Sequence, residues 1–254
     1  MSSAVGTGAF GQQTPLDSCR VSASLSWPLV LYFHHVHPTL DHYTNLTPSA
    51  FEYGLDTVLE SFEPVSLESV LDVDATAQPP AKPSVLITFD DGYADLLDTA
   101  VPALAERGVP ATFFVCTSLL GRRSADPRGN HLTWTDCADL VAAGHAIGSH
   151  GCTHRPLTEL SPAEIDHEVR QSFAALRSRL GIDHAAYAYP YGLMSEIPER
   201  IEGFAGSVTA FGTVKAAARP WTDAPRQIRR TYLPTGHDSS WPELVRHWRR
   251  SWEG

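Results

Sequence analysis

Positive charge is scarce in this chain. Lys and Arg number 19 against 29 Asp and Glu, a formal net charge of −10 at pH 7 over 254 residues. With no basic surplus to release counterions, nucleic acid, polyanionic glycans and anionic membrane surfaces are not expected partners. Long apolar runs are missing too. Nothing approaches the ~20 consecutive apolar residues of a membrane helix, so no membrane span is expected. Residues 1–18 hold no Lys or Arg and no apolar stretch long enough for a secretory signal, which makes the cytoplasm the expected compartment. Cysteine is sparse: Cys19, Cys116, Cys137 and Cys152 form no CxxC pair, and Cys116 sits inside an apolar run. Four scattered thiols do not build a disulfide framework, and buried, idle thiols are expected.

Histidine, by contrast, is plentiful: 12 residues beside only 19 Lys and Arg. That usage suits metal or proton-transfer chemistry, although surface positions account for histidines in most chains. Apolar residues make up 43% and charged residues 19%, the balance of a folded globular chain rather than a disordered one. A single domain is expected, because (β/α) barrels reach this length as one unit.

Residues 1–26 read as a flexible lead-in. Beyond them, short apolar runs alternate with amphipathic stretches. Strands are expected over 29–36, 85–89, 111–115, 146–149, 186–189, 208–214 and 228–233. Helices are expected over 49–62, 94–107, 135–143, 162–180, 196–204 and 241–250. The helix at 162 has the clearest start, with Ser161 as N-cap, Pro162 next and Glu164 three residues on. Gly181 is its expected left-handed stop. Pro79-Pro80-Ala-Lys-Pro83 is a stiff loop. Seven strands alternating with six helices suit a mostly parallel barrel, whose chemistry gathers at the carboxyl ends of the strands.

Polar residues do follow those runs. Val85–Phe89 ends in Asp90-Asp91-Gly92-Tyr93, and the run at Ile147 ends in His150-Gly151-Cys152-Thr153-His154. The run at Tyr187 ends in Tyr189-Pro190-Tyr191-Gly192, and the first run ends in His34-His35-Val36-His37. Adjacent carboxylates can divide two tasks, one binding a cation and the other accepting a proton. Asp-Gly is equally a common turn. Two histidines four apart suit a Zn²⁺-type ion that takes nitrogen and carboxylate oxygen; two unrelated surface histidines fit the spacing as well. Cys152 is a weaker candidate ligand.

Jointly, Thr88-Phe89-Asp90-Asp91-Gly92, His150 to His154 and Tyr189-Pro190-Tyr191-Gly192 resemble the polysaccharide deacetylase family, carbohydrate esterase family four, also called the NodB homology domain. The resemblance covers roughly residues 27 to 235. It implies an α/β fold, a distorted (β/α)7 barrel similar to a TIM barrel, with one catalytic domain over 27–254. It implies metal-dependent removal of an N-acetyl group from an amino sugar or its conjugate. Asp91, His150 and His154 match the ligands of Zn²⁺, with Co²⁺ and Ni²⁺ as alternatives. Asp90 matches the general base. Tyr191 matches the residue whose backbone N–H holds the oxyanion, and Pro190 shapes that substrate-facing turn. An ion bound there would bring the pKa of water toward ~7 and polarise the amide carbonyl.

The leaving amine also needs an acid. Leu31-Tyr-Phe-His34-His35-Val36 resembles the first strand of the permuted poly-N-acetylglucosamine deacetylase branch, which assigns the acid to His34, with His35 pointing away. His237, in Leu233-Pro-Thr-Gly-His237, is the other candidate. Three features depart from the family pattern. The third-motif Arg is replaced by Ala188, leaving Arg230 as a candidate to orient Asp90. Gly151 stands where Ser or Thr is usual, and the fourth motif is not identifiable. Trp134 is a candidate wall for stacking a sugar, or a core residue. Two other readings stay open: hydrolysis of a non-sugar amide, formamide or cyclic ureide, and a non-catalytic glycan- or metabolite-binding domain. The oligomeric state is left open.

Overall fold

The computed structural model describes residues 28–71, 81–194, 197, 201, 208–214, 216 and 223–253. The expected lead-in, Pro79 and Pro80 of the stiff loop, and the expected helix over 196–204 (apart from Ile197 and Ile201) lie outside the described residues. The strands are β1 (Leu29–Phe33), β2 (His35–Val36), β3 (Asn45–Leu46), β4 (Glu63–Pro64) and β5 (Ser84–Phe89). They continue as β6 (Ala111–Val115), β7 (Ala146–Ser149), β8 (Ala186–Ala188) and β9 (Thr209–Phe211). The α-helices used below are α1 (Pro48–Leu59), α2 (Ala100–Glu106), α3 (Trp134–Ala142), α4 (Pro162–Leu180) and α5 (Trp241–Glu253).

One parallel sheet runs β1-β5-β6-β7-β8-β9, with the short β4 also paired to β5. Strands β5 to β8 are buried at every position. That is why they read as continuous apolar runs: helices cover the outer face and a core fills the inner one. The sheet curls into a distorted barrel, and residues 228–231 bridge its two ends. Ile228 N–H donates to Ala210 O at 2.9 Å on one side; Thr231 N–H donates to Val30 O at 2.8 Å on the other. The strand expected over 228–233 is therefore a seventh stave, joined by single bridges at Ile228 and Thr231.

The two-residue period of the strands sorts the apolar side chains. Val30, Leu86, Phe114, Ala188, Phe211 and Ile228 form one cluster. Their alternates Leu31, Phe33, Ile87, Phe89, Phe113 and Ile147 pack in a second, larger cluster with α1 and α5. A barrel this narrow leaves little inner room: a Cβ on Gly148 would sit 2.5 Å from the Phe114 ring.

The helices stop and start where local chemistry dictates. Helix α4 has the expected bounds, with a Ser161–Glu164 capping box and a left-handed Gly181 cap (φ 69°). Helix α3 is capped by Thr133 and Asp136 in the same way. The helix expected over 94–107 is instead a 3₁₀ segment, Ala94–Asp98, followed by α2. Pro102 explains the break. In one continuous helix it would lack an N–H for the Asp98 carbonyl and clash with it; in the first turn of α2 it costs nothing. Thr99 sits at the joint and donates to Asp95 O and Val36 O, both at 2.7 Å.

The expected first strand also divides. Residues 29–33 pair with β5, whereas His35–Val36 turn to pair with β3, leaving His34 at the break. Asn45 fixes the loop between β2 and β3. Its side-chain amide donates to His37 O and Leu40 O and accepts from His37 N–H.

Candidate active site

Registers in the sheet bring the chemistry together. Phe33 pairs with Phe89 and Val115 pairs with Ser149, so His34, Asp90 and His150 all emerge at the carboxyl end of the barrel. Among the described residues, positive φ at non-glycine positions occurs at Asp91 (69°), His154 (63°) and Tyr191 (59°). Each costs about 1 kcal/mol or more, and such strain persists where surrounding structure imposes it. All three lie at this site.

Asp91 Oδ1 lies 3.3 Å from His150 Nε2 and 3.0 Å from His154 Nε2. One donor atom from each of the three residues falls within 4.8 Å of the others. Asp91 Oδ1 is buried, and beyond these two imidazoles it has no hydrogen-bond partner among the described residues. Three possible ligand atoms this close together are what a shared cation requires. His150 supplies a further sign. Its Nδ1 lies 2.7 Å from Ala188 O; donating a proton there leaves Nε2 with its lone pair toward Asp91, the usual arrangement of a ligating imidazole. The donor set, two nitrogens and a carboxylate oxygen, suits a borderline ion of the Zn²⁺ type.

Asp90 is buried beside Arg230, whose Nη1 and Nη2 each donate to one carboxylate oxygen at 2.7 Å. Arg230 is itself fully buried. Its Nε donates to Gly212 O, its Nη1 also reaches Thr88 Oγ1, and the Tyr32 ring lies 5.0 Å away. Burial pushes the Asp90 carboxyl up, but Arg230 and His150 hold it below its ordinary value. Asp91 also feels burial, yet its two histidines hold it well below the ordinary range. Two buried carboxylates against one guanidinium give the pocket a field that attracts a cation.

His34 shares a strand face with Val30 and Tyr32, and its ring meets Tyr32 edge-on at 5.7 Å. Burial lowers its pKa, opposed by the charges of Asp91 and Asp90. His35 turns to the other face. Its Nδ1 lies 3.2 Å from Asp95 Oδ2, and its ring stacks on Tyr93 at 3.7 Å. His237 precedes a 3₁₀ turn (Asp238–Ser240) and donates its N–H to Pro234 O. Tyr191, 54% exposed, places its ring 4.6 Å from that of His154, and Pro190 beside it is buried.

Trp134 has a core role. It opens α3, packs against the larger core cluster and lies beneath the Arg179 guanidinium. As the first residue of a capped helix its ring packs onto the core. Cys152 turns its thiol toward Glu168 O, and Cys116, Cys137 and Cys152 are all free and buried.

Two residues beside the triad escape the motif reading. Tyr93 directly follows the Asp-Asp-Gly turn, and burial together with Asp91 pushes its phenol up. Glu168 lies on α4 between Ile165 and Val169, all buried. A carboxylate at a core position of an amphipathic helix is the signal that could have found it.

A family model described as polysaccharide deacetylase matches residues 77–206. The chain is similar to a chitooligosaccharide deacetylase of Bradyrhizobium sp. (strain ANU 289), 35% identical over 100 residues, covering 37% of this chain and 39% of that protein. It spans about two fifths of the length of the first curated relatives it matches. In fold it is similar to IcaB from Ammonifex degensii, with a TM-score of 0.75 and 24% identity over 90% of this chain and 100% of that one. A Streptococcus pyogenes deacetylase, PplD, solved in complex with acetate, aligns with a TM-score of 0.74 and 23% identity over 86% and 96% of the two chains.

Proposed function

The chain belongs to the polysaccharide deacetylase family, and on that premise we propose that it is a metal-dependent hydrolase removing N-acetyl groups from an amino sugar or amino-sugar oligomer. The observation that carries the reading is the buried Asp91 Oδ1, with no partner among the described residues beyond His150 and His154. Asp91, His150 and His154 would hold the ion, Zn²⁺ by the character of its donors. A divalent cation there supplies Lewis acidity: water becomes a stronger acid, toward a pKa of ~7, and an amide carbonyl is polarised.

The chain's own residues supply the rest. Asp90, kept ionised by Arg230, accepts the proton that water gives up as it attacks the acetyl carbon. Arg230 holds both of its oxygens and so fixes the direction of the remaining lone pairs. The backbone N–H of Tyr191 faces the developing oxyanion in this reading. His34 donates the proton that lets the amine depart neutral. The exposed ring of Tyr191 offers a sugar an apolar face next to His154. The Bradyrhizobium relative, named for chitooligosaccharides, supports β-linked N-acetylglucosamine oligomers as the first substrates to try.

The test is acetate release from N-acetylglucosamine and its oligomers, measured with added Zn²⁺, beside Asp90→Asn as control. Release by the parent chain and loss in the variant, ~10²-fold or more, is expected. Equal release by both would remove Asp90 from the chemistry, and none from the parent on any N-acetyl sugar would remove the substrate class.

A further inference from the structure

We infer that Glu168 is a positioning residue for the metal-ligand loop: from α4 it grips the chain between His150 and His154 so that both imidazoles meet Asp91. The inference rests on the reading of that triad as a metal site. Glu168 is only 4% exposed, and a carboxylate so placed is costly unless donors surround it. The loop supplies them. Glu168 Oε2 accepts from Cys152 N–H at 2.7 Å and Thr153 N–H at 2.9 Å, and Oε1 accepts from the Thr153 hydroxyl at 2.6 Å. All three donors lie within the three residues separating the two histidines.

That stretch needs a grip. His154 (φ 63°) has a left-handed backbone, a conformation that a non-glycine residue keeps only where the surroundings impose it; Gly151 (φ 82°) adopts one freely. A second strut comes from the next turn of the same helix: Ser172 Oγ lies 2.6 Å from Ser149 Oγ, which accepts the Gly151 N–H at 3.1 Å. The left-handed backbone already favours glycine at position 151, where the family has Ser or Thr, and Glu168 narrows the space there further. A Cβ there would stand 3.0 Å from Glu168 Oε2 and 3.3 Å from the Tyr187 hydroxyl oxygen. A side chain there would crowd the carboxylate that holds the loop.

The test separates reach from charge in the full chain. Zn²⁺ affinity is measured by competition with a chromophoric chelator, and amide exchange is followed at Cys152 and Thr153 without metal. Glu168→Asp keeps the charge but withdraws the carboxylate; it is expected to weaken Zn²⁺ binding about 10–100-fold, as loss of an outer-shell partner does, and to speed exchange at both amides. Glu168→Gln keeps the reach, its amide oxygen still accepting both N–H groups, and is expected to bind Zn²⁺ close to the parent. Should the aspartate variant fail to fold, Thr153→Val removes only the hydroxyl donor and is expected to weaken binding in the same direction. Unchanged Zn²⁺ affinity in the aspartate variant, or in the valine variant in its place, overturns the inference. So does an equal loss in the glutamine and aspartate variants, which would assign the effect to charge. If the parent binds no Zn²⁺ while both amides still depend on the length of residue 168, the metal reading has failed and the grip on the loop has not.

Discussion

Arg230 and Asp90 stand 140 residues apart in the chain and meet through two parallel hydrogen bonds of 2.7 Å, one to each carboxylate oxygen. Both are almost wholly buried, with side chains 0% and 4% exposed. The pair also staples the barrel, since Asp90 follows β5 and Arg230 lies on the segment bridging β9 to β1. The cation reaches Asp90 from the last stave, not from the strand that ends in Ala188.

Removing one partner of such a pair is costlier than the pair is worth. Arg230→Gln is expected to lower stability by about 3–5 kcal/mol in urea unfolding, because Asp90 is left buried and uncompensated. Arg230→Lys keeps the charge but loses the paired geometry. Since Arg230 holds the Asp90 pKa down, either change lets that pKa rise. The acid limb of kcat/KM should then move to higher pH. An unmoved limb would show that Arg230 does not tune Asp90.

His34 and His237 are told apart by rate. His34→Gln is expected to lower kcat by about 10²–10³-fold with little change in KM, the usual worth of a general acid. His237→Gln should leave both near the parent values. A reversed outcome would move the acid to the C-terminal histidine.

Acid should destabilise the fold through His145. It is buried, its Nδ1 accepts the Ala111 N–H at 3.2 Å, and burial lowers its pKa. The unfolded chain therefore binds the proton more tightly than the folded one. The stability this histidine contributes is whole above the ordinary pKa of about 6.5 and is lost as pH falls through the lower folded value. Burial likewise lowers His131 and His184, with the same sign. Urea midpoints between about pH 7.5 and 5.5 should fall, and fall less in His145→Gln; an identical slope would exclude His145.

Gly148→Ala probes the filling of the barrel. The new Cβ meets Phe114 at 2.5 Å, and overpacking of that kind costs about 1–3 kcal/mol. A calorimetric Tm equal to that of the parent would mean that the inner core has slack.

Much of this was legible from the residues alone. Apolar runs located the staves because parallel strands buried on both faces read as continuous apolar segments, and α4 carried start and stop signals at both ends. Polar residues after those runs marked the site, because parallel barrels gather strand ends on one rim. Less legible were features set by long-range contact. The short bridges at Ile228 and Thr231 depend on the gap left by β1 and β9. Thr99 splits a helix only because Pro102 and the β2 backbone are where they are. Glu168 is recognisable as a buried acid from the period of α4, but its partners lie on a loop that the period does not reach. Trp134 shows the opposite: an aromatic near the motifs invites a substrate role, and its ring packs onto the core.

The most direct test of the site is a crystal structure, or an X-ray absorption spectrum, of the chain equilibrated with one equivalent of Zn²⁺, beside Asp91→Asn. The expected result is one ion about 2.0–2.2 Å from Asp91 Oδ1, His150 Nε2 and His154 Nε2, absent in the variant. An ion seated elsewhere, or a parent chain whose three ligand atoms stay together with no ion under saturating Zn²⁺, would contradict it.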